Sequence, residues 1–146
     1  MTPSSHNSLA SRSIVLTNDI REIHRLDVFI DDVCRTLHLD GATTFRLHLA
    51  LEEAVANVIN YAYPEGTRGE IHLRVSSDAG KLVFVITDQG IPFDPTSVDE
   101  PDITADADQR TIGGLGVFLM RQYMDKLQYE NRDGLNILTL TKKLTA

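Results

Sequence analysis

Leu51-Glu52-Glu53-Ala54-Val55-Ala56-Asn57-Val58-Ile59-Asn60-Tyr61 decides how this chain folds. Leu47, Leu51, Ala54, Val55, Val58 and Ala62 recur at three- and four-residue steps, which makes the apolar face of a buried helix beginning near Ala42. Glu53, Asn57, Asn60 and Tyr61 recur at the same steps on a neighbouring face. A carboxylate and a carboxamide one turn apart can converge on one hard cation or one polarised water. The same residue types also suit a solvated polar face, so the stretch needs support from elsewhere in the chain.

The 146 residues suffice for one domain and are too few for two. Fourteen basic residues against 21 acidic ones give a net charge of −7, which speaks against broad nucleic-acid binding and leaves room for a basic protein partner. No apolar run approaches the roughly 20 residues of a membrane span. Residues 1–12 are polar and serine-rich and read as a flexible tail before a single domain over residues 13–146. A single cysteine, Cys34, fits a reducing cytoplasm, and its place in a helical apolar pattern points to core packing.

Working outward, Ser13 to Thr17 reads as a strand, and Asn18 or Asp19 caps a helix whose face carries Ile20, Ile23, Phe29, Ile30, Val33 and Leu37. Gly41 separates that helix from the central one, and Thr43 or Thr44 starts the latter. Glu70 to Val75 and Lys81 to Thr87 read as a hairpin across Ser77-Asp78-Ala79-Gly80. Gln128 to Asn131 and Asn136 to Thr141 close the sheet around Arg132-Asp133-Gly134. His24 reads as a surface helix residue, and His48 and His72 have no partners at metal-ligand spacing.

Two glycine-bearing stretches give the central helix its meaning. Asp88-Gln89-Gly90 places a carboxylate at the end of an apolar strand, although Asp and Gly are also common in plain turns. Thr111-Ile112-Gly113-Gly114-Leu115-Gly116 opens a helix, where bare backbone N–H groups favour an anion; glycine there also permits close packing. Between them lies an acidic stretch almost without core residues, of the length expected for a lid. A cation ligand, an acceptor for an exocyclic amine and a set of phosphate donors together describe a purine nucleotide held with Mg²⁺.

With those motifs in place, the chain resembles the ATPase superfamily shared by gyrase, the Hsp90 chaperone, histidine kinases and MutL. Within it the chain is most similar to the bacterial anti-sigma factor serine/threonine kinases of partner-switching modules. The resemblance runs from about Ile14 to Leu144 and rests on Glu53-Ala54-Val55-Ala56-Asn57, Asp88-Gln89-Gly90 with its continuation to Pro95, and Gly114-Leu115-Gly116. It implies an α+β two-layer sandwich: a mixed, mainly antiparallel sheet with helices packed on one face, and residues 91–113 as an ATP lid.

The resemblance also implies roles. Asn57 coordinates Mg²⁺, with Asn60 and Tyr61 beside the nucleotide. Asp88 binds the adenine amine and Gly90 leaves room for the ring. Gly113, Gly114, Leu115 and Gly116 meet the phosphates, and Glu53 is the catalytic base, with Glu52 as its off-stripe competitor. Several members carry a cation just before the phosphate glycines, where this chain has Thr111-Ile112; Arg110 is the lid cation instead. The implied activity is sequestration of a sigma factor and phosphorylation of a small anti-sigma factor antagonist by a cytoplasmic homodimer using ATP and Mg²⁺. No direct nucleic-acid or membrane contact is implied. The alternatives are a nucleotide-binding regulatory module with little kinase activity, and a detached histidine-kinase catalytic domain.

Overall fold

A computed structural model describes residues 11–97 and 114–144. Its elements are β1 (Arg12–Thr17), a 3₁₀ turn (Ile20–Glu22), α1 (Ile23–Thr36), α2 (Gly41–Asn57) continued by a π-helical turn (Val58–Ala62), β2 (Glu70–Asp78), β3 (Lys81–Asp88), a 3₁₀ turn (Pro95–Ser97), α3 (Gly114–Tyr123), β4 (Lys126–Arg132) and β5 (Leu135–Lys143).

The strands form one five-stranded sheet in the order β1-β2-β3-β5-β4. Every pairing is antiparallel, so the mixed character expected of the sheet is absent among the described residues. The reason is local: β2 with β3 and β4 with β5 are tight hairpins, and α3 returns the chain on the far side of β5. Both hairpin turns place two successive residues at positive φ, Ala79 (50°) with Gly80 (80°) and Asp133 (54°) with Gly134 (83°). Their twist matches that of the flanking strands.

Alternation along the strands sends Leu16, Ile71, Leu73, Val75, Leu82, Phe84, Ile86 and Leu140 into one core, each at most 1% exposed. The helices cover that face, with α2 in the middle against α1 and α3. Leu47, Leu51, Ala54 and Val55 are buried as their spacing requires. Cys34 is buried in the same core, and burial pushes its thiol pKa up. Helix α2 begins two residues before Thr43 because Asp40 is its cap, accepting the Thr43 N–H at 2.6 Å. Asp19, at the expected position, caps the first 3₁₀ turn.

Candidate functional site

Among the described residues, the buried polar or charged side chains are Asn57, Asp88 and Asn136. All three line one pocket, partly open to solvent, between the end of α2, the ends of β3 and β5, and α3. Buried polar groups are costly unless paired, so three at the same apolar slot form a built arrangement. Its walls are Ala54, Ile86, Met120 and Leu138, with Phe93 and Pro95 among the residues completing it.

Asp88 stands at the end of β3, opposite Asn136 on β5 in the strand register. Its Oδ1 accepts the Gly90 N–H at 2.8 Å and the Asn136 Nδ2–H at 2.8 Å. Both bonds fall on one oxygen, which leaves Oδ2 for a donor from a ligand. Asn136 is held in turn: its Oδ1 accepts from the Tyr129 hydroxyl at 2.5 Å and from Asn131 Nδ2 at 2.9 Å. Its Nδ2 also reaches the Gly90 carbonyl at 3.1 Å. The carboxylate is therefore fixed before any ligand arrives.

Asn136 was not singled out from the sequence. Its signal was there: it occupies the inward register of Leu138 and Leu140, where an apolar residue is expected, directly across from Asp88.

Asn57 is 8% exposed, and its Nδ2 is a buried polar atom with no hydrogen-bond partner. An orphaned buried donor costs about 1–3 kcal/mol, a cost that makes sense where a bound group satisfies it. A carboxamide offers a carbonyl oxygen to a hard cation and an N–H to an anion. The donor set at this slot thus fits a purine nucleotide with its divalent ion.

At Gly90 the lack of a side chain also serves the fold. A Cβ there would sit 2.3 Å from the Ala62 carbonyl oxygen, so the glycine lets the loop press against the end of α2. The neighbouring Ile91 N–H bonds that same carbonyl at 2.6 Å. Residues 91–97, expected as the start of the lid, include part of the pocket wall: Pro95 is buried, and Asp94 holds the turn by accepting from the Thr96 N–H and hydroxyl. Tyr63 fixes the other side of the loop, donating to the Glu70 carbonyl and accepting from the Gln89 N–H.

The polar stripe of α2 divides at the π-helical turn. Wider winding over Val58–Ala62 breaks the three- and four-residue spacing that linked Asn60 and Tyr61 to Asn57. Asn60 is exposed and does not line the pocket. Tyr61 is 37% exposed and packs on Phe93, ring centroids 5.8 Å apart, at the pocket's edge. Glu53 is half-buried one turn before Asn57. Glu52 turns toward α1, where its carboxylate lies beside His48 and Asp27. Gly114 begins α3, and Met120 on that helix lines the pocket. Arg110 and Gly113 lie outside the described residues, as does the lid from residue 98 to residue 113.

Comparison with known proteins places this geometry. The model of the histidine kinase-like ATPase domain matches residues 16–142. The chain belongs to this family. It is 37% identical over 97 residues to the serine/threonine-protein kinase BtrW of Bordetella bronchiseptica, covering 66% of this chain and 68% of BtrW. It is 32% identical over 102 residues to the serine-protein kinase RsbW of Bacillus subtilis, covering 67% of this chain and 63% of RsbW. The match thus spans about two thirds of each relative's length. The fold is shared with a third of the chain in the crystal structure of the RsbU and RsbW domains of a Mycobacterium tuberculosis protein, at a TM-score of 0.68 and 14% identity over 94% of this chain and 33% of that one. Within the family the chain stands with the serine kinases BtrW and RsbW. None of the helices among the described residues is long and apolar enough to cross a membrane.

Proposed function

We propose that this chain is an ATP-dependent protein serine/threonine kinase that sequesters a sigma factor and phosphorylates a small antagonist protein, working as a homodimer in the cytoplasm. The observation that carries the reading is the convergence of Asp88, Asn136 and the orphaned Asn57 amide on one apolar slot. Kinship with BtrW and RsbW supports the kinase activity and the partner-switching role.

Bound Mg²⁺-ATP supplies the phosphoryl group and the metal's neutralising charge. Asp88 Oδ2 accepts from the exocyclic amine of adenine, and Ile86, Leu138 and Met120 keep water from the ring. Asn57 Oδ1 holds the cation. The first turn of a helix has N–H groups without intrahelical partners, so Gly114, Leu115 and Gly116 would donate to the phosphates, and Gly113 and Arg110 belong to the same proposed set of phosphate contacts. Glu53 would take the proton from the partner's serine or threonine hydroxyl as that oxygen bonds the γ-phosphorus and the bond to the β–γ bridging oxygen breaks, with ADP as the leaving group. Domain limits of 13–146, with residues 91–113 as the lid, belong to the same reading.

The test is incubation with labelled ATP and candidate antagonist proteins, followed by acid treatment. Acid-stable label on a partner serine or threonine is the expected result, and acid-labile label on histidine would overturn it. Tight nucleotide binding without any label would instead favour a regulatory module, the reading to which Thr111-Ile112 before the phosphate glycines lends support. Asn57→Ala is expected to abolish Mg²⁺-ATP binding in calorimetry; unchanged affinity would contradict the metal assignment.

A further inference from the structure

On the face of α2 that meets α1, His48 stands among carboxylates from both helices. Its Nδ1 lies 3.1 Å from Asp27 Oδ1 and 3.7 Å from Glu52 Oε2. Its Nε2 lies 2.7 Å from Asp31 Oδ1. One ligand atom each from Asp27, His48 and Glu52 fall within 4.8 Å of one another, and all three residues are half-buried. The reading of His48 as a residue without metal-ligand partners is therefore corrected. Two of its carboxylate neighbours come from α1, 21 and 17 residues earlier in the chain, and only helix packing brings them close. Only Glu52, one turn on from His48, was visible in the spacing.

We propose that Asp27, His48 and Glu52 bind a divalent transition-metal ion of the Zn²⁺ class, which staples α1 to α2, with Asp31 orienting the histidine. The site is separate from the nucleotide pocket, since none of these four residues lines it.

Three lines of chemistry support the assignment. Donors around a four-coordinate ion with bonds of about 2.0–2.1 Å stand about 3.4 Å apart, and the separations at Nδ1 bracket that value. With Asp31 accepting the Nε2–H, loss of the Nδ1 proton to a metal would leave that lone pair facing the two ligand carboxylates; this is the usual support of a metal-bound imidazole. An imidazole nitrogen with carboxylate oxygens favours zinc-like ions over Mg²⁺.

The test uses tag-free, metal-stripped, nucleotide-free full chain. Calorimetric titration with Zn²⁺ is expected to saturate at one equivalent, and Zn²⁺ to raise the melting temperature by at least about 3 °C. His48→Gln and Glu52→Gln should each lose the binding and the melting shift. Asp31→Asn, which leaves all three ligands in place, should weaken binding about 10- to 100-fold. His24→Gln, on the exposed face of α1, should bind as the parent does. Failure to saturate, binding undiminished in both His48→Gln and Glu52→Gln, or an equal response to Mg²⁺ would overturn the proposal. Should His48→Gln not fold, Glu52→Gln and Asp31→Asn decide alone.

Discussion

Two faces of α2 treat polar groups in opposite ways. At the pocket, Asp88 and Asn136 are knitted into a network of amide, hydroxyl and backbone donors, and Asn57 Nδ2 is left over. Toward α1, Asp27, Asp31 and Glu52 crowd a single imidazole at the surface. The first arrangement is held by hydrogen bonds, with Asp88 Oδ2 and Asn57 Nδ2 left for a ligand's polar atoms. The second has an excess of acceptors and adjusts by binding protons. The contrast teaches that a perturbed pKa does not by itself mark the catalytic group. Glu52, at about 7, has the titration expected of a general base. Its partners, however, lie on α1, while Glu53 is the acid one turn before Asn57.

Exchanging the two glutamates is the sharpest way to break that contrast. Glu53→Ala is expected to lower phosphotransfer about 10²- to 10⁴-fold with nucleotide affinity retained. Glu52→Ala should leave the transfer rate within about twofold, because it faces away from the pocket. Rates of labelled phosphate transfer and parallel nucleotide titrations check both. If Glu52→Ala were the silent one, geometry rather than pKa would have chosen the base correctly; the reverse result would transfer the role to Glu52.

A smaller effect is expected at Asn136, the least anticipated member of the pocket. Asn136→Ala strands partners on both sides, Asp88 and Gly90 below and Tyr129 and Asn131 above. A loss of about 3 kcal/mol in denaturant unfolding and weaker nucleotide binding should follow together. Gly90→Ala should cost about 1–3 kcal/mol by overpacking, since the added methyl meets the Ala62 backbone. Nucleotide binding reduced in Asn136→Ala with unfolding unchanged would mean that the asparagine touches the ligand rather than holding Asp88.

What the sequence revealed and what it hid follow one physical division. The stripe through Leu47, Leu51, Ala54 and Val55, the alternation of β2 and β3, and the hairpin turn at Ala79-Gly80 are local patterns, and each appears where its spacing puts it. Asp88 was legible because a carboxylate ended an apolar strand. The π-helical turn at Val58–Ala62 was not, because helical spacing on either side of it looks the same; it is what parts Asn60 from Asn57. Asn136 and the His48 cluster owe their meaning to register and helix packing, which no stretch of sequence contains by itself.

The smallest expected effect tests the crowded face by pH. Glu52 has its pKa raised from 4.5 to about 7, so between those values the folded chain holds a proton that the unfolded chain releases. Stability from this group is therefore present below about pH 4.5 and lost as pH rises through about 7. His48 acts in the same direction. Burial opposes its charge, but hydrogen bonds to Asp31 and Asp27 outweigh that and raise its pKa above 6.5, so its contribution also fades as pH rises through the folded value. Glu52→Gln removes the ionising partner. In chelator-treated protein it should be more stable than the parent at pH 8, by on the order of 1 kcal/mol once solvent screening of a partly exposed group is allowed for. The difference should shrink toward pH 5, where the native glutamate already carries its proton. A variant less stable than the parent at pH 8 would mean that the attraction of Glu52 to His48 outweighs its repulsion from Asp27. The two faces of α2 would then differ less than their geometry indicates.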